Sequence, residues 1–157
     1  MMIYKLILFC ALFLLMMITG VFWGTWFTLT RSINDFSAEE FIHIGKVIIA
    51  NVAVPMSIIM PSGIILMVAS VWQVKKRRLA GFIPGMISLV LIIAVLLITL
   101  IILVPIDNDI TKWTSSTIPA NWEAIRAKWD LWHTVRTFLS LISFACFSYL
   151  VSRRNAK

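Results

Sequence analysis

Negative charge, cysteine and histidine are all scarce in this sequence. Seven acidic residues stand against fourteen basic ones, with two cysteines and two histidines, and charged residues make up only 13% of the chain. A soluble domain carries about twice that share of charge, so a water-facing surface is excluded. The cysteines, Cys10 and Cys146, show no C-x-x-C spacing, and both fall near a face expected to be cytoplasmic and reducing. That argues against a structural disulfide and a thiol redox motif; each cysteine reads as a small apolar residue. The histidines, His43 and His133, come without an E-x-x-H pair or a cysteine ligand set. Straight helices would also hold them about 18 Å apart in depth, so no metal site and no cofactor is expected.

What is present is hydrophobic length. Of 157 residues 61% are hydrophobic, and mean hydropathy is +0.96. Residues 6–30, 47–74 and 79–106 are free of charge. Each run exceeds the ~20 residues that cross a ~30 Å hydrocarbon layer. A fourth run, 137–152, is too short alone and must borrow from the stretch before it. The reading is all-α, a single integral membrane domain over 1–157, with four transmembrane helices at about 4–30, 38–74, 81–105 and 119–151. The first run is longer than a signal-peptide core of about 7–15 residues and lacks an A-x-A-like site, so it is expected to be retained.

Charge placement orients the bundle. Lys5, the block Lys75-Lys76-Arg77-Arg78, Arg153, Arg154 and Lys157 mark alternate helix ends, whereas all seven acids lie toward the opposite ends. The positive-inside rule then predicts an up-down-up-down bundle with both termini cytoplasmic, in a bacterial cytoplasmic membrane. The net charge of +7 is thereby absorbed as a topology signal with anionic-lipid contact, and no nucleic-acid partner is expected.

Local signals refine the spans. Ser37-Ala-Glu-Glu40 reads as a capping box opening the second helix. Pro55 and Pro61 interrupt that helix and free the carbonyls of Asn51 and Ser57. Pro105 is expected to end the third helix, followed by an outer loop over 107–117; Pro119 suits the first turn of the fourth. Gly20 and Gly24 form a G-x-x-x-G, expected to serve helix packing within the bundle, with homo-oligomer contact as the alternative.

The fourth span carries most of the chemistry. At ~1.5 Å per residue from the basic ends, His133 lies at the level of Thr25, Pro55 and Thr99, with Asn51 and Trp129 one turn higher. Trp122, Arg126, Trp129, His133, Thr137 and Ser140 share one helical face, with Arg136 on its edge. Asp130 is adjacent, within reach of Arg126 or His133. Trp113, Lys128 and Trp132 read as interfacial anchors. A lipid anchor would not align its polar residues on one stripe, so this face is expected to line a cavity in the outer half of the bundle.

VPIDNDITKW followed by NWEAIRAKWDLWHTVRT resembles the anthrone-oxygenase-like family of four-helix membrane proteins. The resemblance rests on Val104-Pro105, Asn108, Trp113, Trp122, Arg126, Trp129, His133 and Arg136-Thr137, with Asp107 standing where the turn's asparagine would be expected. It implies an aromatic or quinone-like ligand, and oxidation of anthrone-type rings by O₂ without a cofactor. The roles it implies are His133 as base oriented by Asp130, and Arg126 and Arg136 as cations for the enolate. Trp23, Trp122 and Trp129 would form the walls with Thr137, and Asn51 would position an oxygen atom. The alternative is a non-catalytic membrane partner or lipid-binding subunit whose polar stripe is structural.

Overall fold

The computed structural model describes residues 2–77 and 81–153; Arg78, Arg154 and Lys157 of the basic groups lie outside the described residues. Among the described residues every regular element is helical. Helix α1 is Met2–Thr28, followed by a 3₁₀ segment over Thr30–Asp35; α2 is Ala38–Lys76, α3 is Phe82–Ile98, α4 is Val104–Lys112 and α5 is Trp122–Arg153. A π-helical turn, Thr99–Leu103, joins α3 to α4 without a break. The four spans Ile3–Asp35, Ala38–Lys76, Phe82–Lys112 and Trp122–Arg153 are each long and apolar enough to cross a membrane. The protein is a multi-pass integral membrane protein.

The start of α2 is fixed by the Ser37 capping box. Glu40 accepts from the Ser37 amide at 2.9 Å, and the Glu40 amide donates back to the Ser37 hydroxyl at 3.4 Å. Pro55 and Pro61 both sit inside α2, which runs through them as one helix. A different outcome meets Pro105. The third helix does not stop there; it continues to Lys112. The π turn explains this, because Val104 donates to Thr99, five residues back, and the wider ring spacing accommodates the proline that follows. Residues 107–112 are therefore helix rather than loop.

Contacts between helices pair opposite ends. Arg77, just past α2, lies over the Tyr4 ring near the start of α1 at 4.9 Å. Ser88 near the start of α3 exchanges hydrogen bonds with Ser143 late in α5, each hydroxyl donating to the other's carbonyl at 2.8 Å. Higher up, Trp26 donates to the Thr134 hydroxyl at 3.1 Å. One apolar core, around Leu8, Leu15, Met67, Ile92 and Phe147, fills the end where the basic residues gather. A second, around Ile33, Phe41, Leu103, Ile110 and Trp129, closes the end where the acids gather.

The G-x-x-x-G expectation needs correcting. A Cβ on Gly20 or Gly24 would meet nothing within 4 Å, so neither glycine permits a close helix approach in this chain. The close approaches fall elsewhere. Gly63 admits Ile18 and Leu14 of α1, and a Cβ on Gly85 would overlap Leu150 of α5.

Candidate functional site

Between the two cores lies a chamber of about 470 Å³, within the range of small-molecule sites. Helix α2 supplies one wall from Ile48 to Pro61; Phe22 of α1 and Leu96 of α3 face it. The walls are apolar, and their polar groups collect around Thr99, Asp107, Asn108, Trp129 and Arg136. Thr25 and Ser57 also line the chamber, but their hydroxyls donate to carbonyls of their own helices, at 3.0 and 2.7 Å.

Arg136 is held on three sides. Its Nε and Nη2 approach His133 Nδ1 at 3.1 and 2.9 Å, Nη1 donates to the Thr99 hydroxyl at 3.3 Å, and the guanidinium lies over the Phe22 ring at 4.4 Å. Arginine only donates, so Nδ1 must carry the lone pair, which places the imidazole proton on Nε2. Nε2 is buried near the Phe22 carbonyl without a hydrogen bond to it. The ring is sandwiched by Trp129, stacked at 4.8 Å and 10°, and by the edge of Phe22 at 6.5 Å. His133 is fully buried and does not itself line the chamber.

Asp107 completes the polar end. Its carboxylate accepts from Trp129 Nε1 at 2.9 Å and feels the charge of Arg136 without forming a contact ion pair. An acid and a cation thus share one apolar chamber with unfilled space near both.

The residues singled out in the sequence disperse around this arrangement. Trp129 and Arg136 line the chamber, and His133 supports Arg136 from behind. Arg126 turns away, donating from Nη1 to the carbonyls of Ile33 and Phe36 at 3.3 and 3.0 Å and lying over the Trp122 ring at 4.6 Å. It clamps the 3₁₀ connector onto α5. Asp130 lies beside Thr134 and makes no hydrogen bond to His133. Thr137 donates to the His133 carbonyl at 2.7 Å and touches the Phe22 carbonyl at 3.5 Å, at the α1–α5 contact. Trp23 is 38% exposed and stacks on Trp26 outside the chamber, while Asn51 is exposed on α2 and lines no part of it.

Asp107 and Thr99 stand outside the site expected from sequence because Pro105 reads as the end of the third span, before Asp107, and Thr99 enters only as a depth marker. A signal existed. Leu103, Ile106 and Ile110 repeat at helical spacing across Pro105, and all three are buried. Among the described residues no group of three or more His, Cys, Asp or Glu side chains could hold a metal ion.

The fold and site together define a four-span membrane protein with an apolar internal chamber and an acid and an arginine at one end of it. A family model, anthrone oxygenase, matches residues 47–146, which contain the α2 wall, the π turn and the polar stripe of α5. The chain belongs to the anthrone oxygenase family. No curated protein and no solved structure matches it.

Proposed function

We propose that the chamber binds a planar aromatic or quinone-like molecule and oxidises it with O₂, in an up-down-up-down bundle whose termini both lie in the cytoplasm of a bacterium. The observation that carries this is that Asp107 and Arg136 line one largely apolar chamber without forming a contact ion pair. An anthrone-type ring has an acidic benzylic C–H opposite a ketone. Asp107 takes the proton; Arg136 stabilises the oxyanion that develops on the ketone. The electron-rich enolate passes one electron to O₂, and the ring radical and superoxide join in a C–O bond. Protonation gives a hydroperoxide, and loss of water with the second benzylic proton leaves the quinone. No cofactor enters this scheme, and the chain acts as acid–base and electrostatic partner.

This reading moves the base from His133 to Asp107. The His133 lone pair is committed to Arg136, so the imidazole serves as a positioning residue that aims the guanidinium. Trp129 supplies a flat wall and orients the Asp107 carboxylate.

A second reading draws support from Arg126. Its bonds to Ile33 and Phe36 are those of an interhelix clamp, which suits a non-catalytic membrane partner or lipid-binding subunit. Turnover separates the two. Purified protein given an anthrone and O₂ should form anthraquinone above the uncatalysed rate, and Arg136→Ala should remove about a hundredfold of that excess. A wild-type rate equal to the uncatalysed one would refute the oxygenase and leave the clamp.

A further inference from the structure

The chamber is not closed. Six of its lining residues are exposed: Val21 on α1, Ala53, Ser57 and Pro61 on α2, Leu100 on the π turn, by 55%, and Asn108 on α4. The three on α2 follow one another at four-residue spacing and so form one edge of that helix. Val71 lies eighteen residues from Ala53, a whole number of turns, and therefore on the same side. Its Cγ2 stands 3.1 Å from where a Cβ of Gly85 on α3 would be. That edge of α2 thus faces the third span, touching it below and parting from it at the π turn.

The depth of this gap decides what it opens onto. Counting from Lys75 at the basic end, Pro61 lies about 21 Å and Ala53 about 33 Å along α2, against a hydrocarbon layer of ~30 Å. Every residue bounding it belongs to a charge-free stretch. The gap therefore faces acyl chains in the half-bilayer nearest the acidic end, reaching the boundary at its top. Inside, the polar groups are likewise uneven: Asp107 and Asn108 crown the chamber, Arg136 and Thr99 sit below them, and Met60, Pro61 and Leu96 form a purely apolar floor.

We infer that the chamber is loaded sideways from the leaflet at the acid-rich end, through the gap between the Ala53–Ser57–Pro61 edge of α2 and the π turn at Leu100. Its ligand is an uncharged amphiphile already dissolved in that leaflet. A phenol or quinone of this kind rests in a leaflet with its hydroxyl or carbonyl at the boundary and its apolar body toward the midplane, which is the orientation the chamber's polar crown and apolar floor accept. An ionised, water-borne ligand would have to leave water for hydrocarbon to use the gap, which disfavours it. The π turn has a role in this route. It carries both Leu100, at the gap, and Thr99, whose hydroxyl accepts from Arg136 at 3.3 Å. The identity of the ligand rests on the proposed function, whereas the route does not.

The test uses nitroxide labels in liposomes, in a Cys10→Ser, Cys146→Ser background. Labels go on Ser57→Cys and Leu100→Cys, with Ile93→Cys as a lipid-facing control and Ser115→Cys as a water-facing one. The two portal labels should collide with O₂ as strongly as the Ile93 label and be shielded from a nickel chelate relative to the Ser115 label. A few mole per cent of a decyl-chain benzoquinone in the bilayer should then broaden the portal spectra and leave the Ile93 spectrum unchanged. Either portal position suffices if the other variant does not fold. Nickel collisions at the portal matching those at Ser115 would overturn the lipid route. Portal spectra already immobile and unmoved by quinone would identify a phospholipid chain as the occupant and overturn the ligand class. If both expectations hold while anthrone is not turned over, the reaction fails and the route stands.

Discussion

The two ends of the bundle are built from the same four spans and packed to opposite purposes. At the basic end the helices close tightly. Gly63 and Gly85 admit side chains of neighbouring helices, and Ser88 and Ser143 interlock between α3 and α5. At the acidic end the spans separate around a chamber of about 470 Å³. The difference is written along α5. Below Thr137 its inward face presents Ser140, Ser143, Phe147 and Leu150; above, it presents His133, Trp129 and Arg126, all buried. Small hydroxyl residues let backbones approach in a membrane, and paired carbonyls satisfy them. Tryptophan and arginine cannot be packed that way, and Arg136 is held by a cradle drawn from α1, the π turn and α5. The first region is close-packed, and the second holds the chamber with its polar groups.

The sharpest way to break that division is Asp107→Asn. The amide oxygen can still accept from Trp129 Nε1, so packing is retained while the proposed base is lost. Anthrone oxidation should fall by about a hundredfold or more, with thermal stability in detergent little changed. An unchanged rate would return the role of base to another group, and His133 would need a free lone pair to fill it.

Next in size is Arg126→Ala. Its Nη1 bonds two connector carbonyls, and charged hydrogen bonds of this kind contribute about 1.5–3 kcal/mol. A drop in thermal stability without a proportionate change in the rate constant of the folded fraction is expected. A hundredfold loss of rate at unchanged stability would put Arg126 in the chemistry, against its placement over Trp122.

These two variants also mark what was legible in the sequence. Three spans were readable as charge-free runs, and the fourth as a shorter run extended by the charged stretch before it. The depth register was readable in part, since Thr99, set level with His133 by counting, is joined to it through Arg136. The cavity-facing stripe shared one helical face, but a face has length. Its upper part, Trp122 and Arg126, packs on α2 and the connector and its lower part, Thr137, meets α1, so of the stripe only Trp129, with Arg136 on its edge, borders the chamber. No periodicity shows where neighbouring helices part. Asp107 was hidden by Pro105, because whether proline ends a helix depends on the backbone spacing before it. His133 carried a usable signal that went unread. An arginine three residues on can occupy its Nδ1, and does.

Within the tight region, Gly85→Ala should lower stability by about 1–3 kcal/mol, the usual cost of overpacking a filled core. The new Cβ meets Leu150, fully buried, and stands 3.1 Å from Val71, so neither neighbour has open space to retreat into. Thermal unfolding followed by circular dichroism reads this, and ligand affinity in the chamber should not change.

Gly24→Ala should do least of all, and that makes it the most discriminating. In the sequence Gly20 and Gly24 look like the closest-packed pair in the chain, whereas a Cβ at either would meet nothing within 4 Å. If this face meets only lipid, alanine should leave stability within about 0.5 kcal/mol and even favour the helix slightly. A larger loss would mean that something outside the chain packs there. Size-exclusion chromatography with light scattering would then reveal it, because a second copy meeting at these glycines would dissociate in the variant. An unchanged mass and unchanged stability would leave Gly63 and Gly85, both at the tight end or just above it, as the glycines that hold the bundle together.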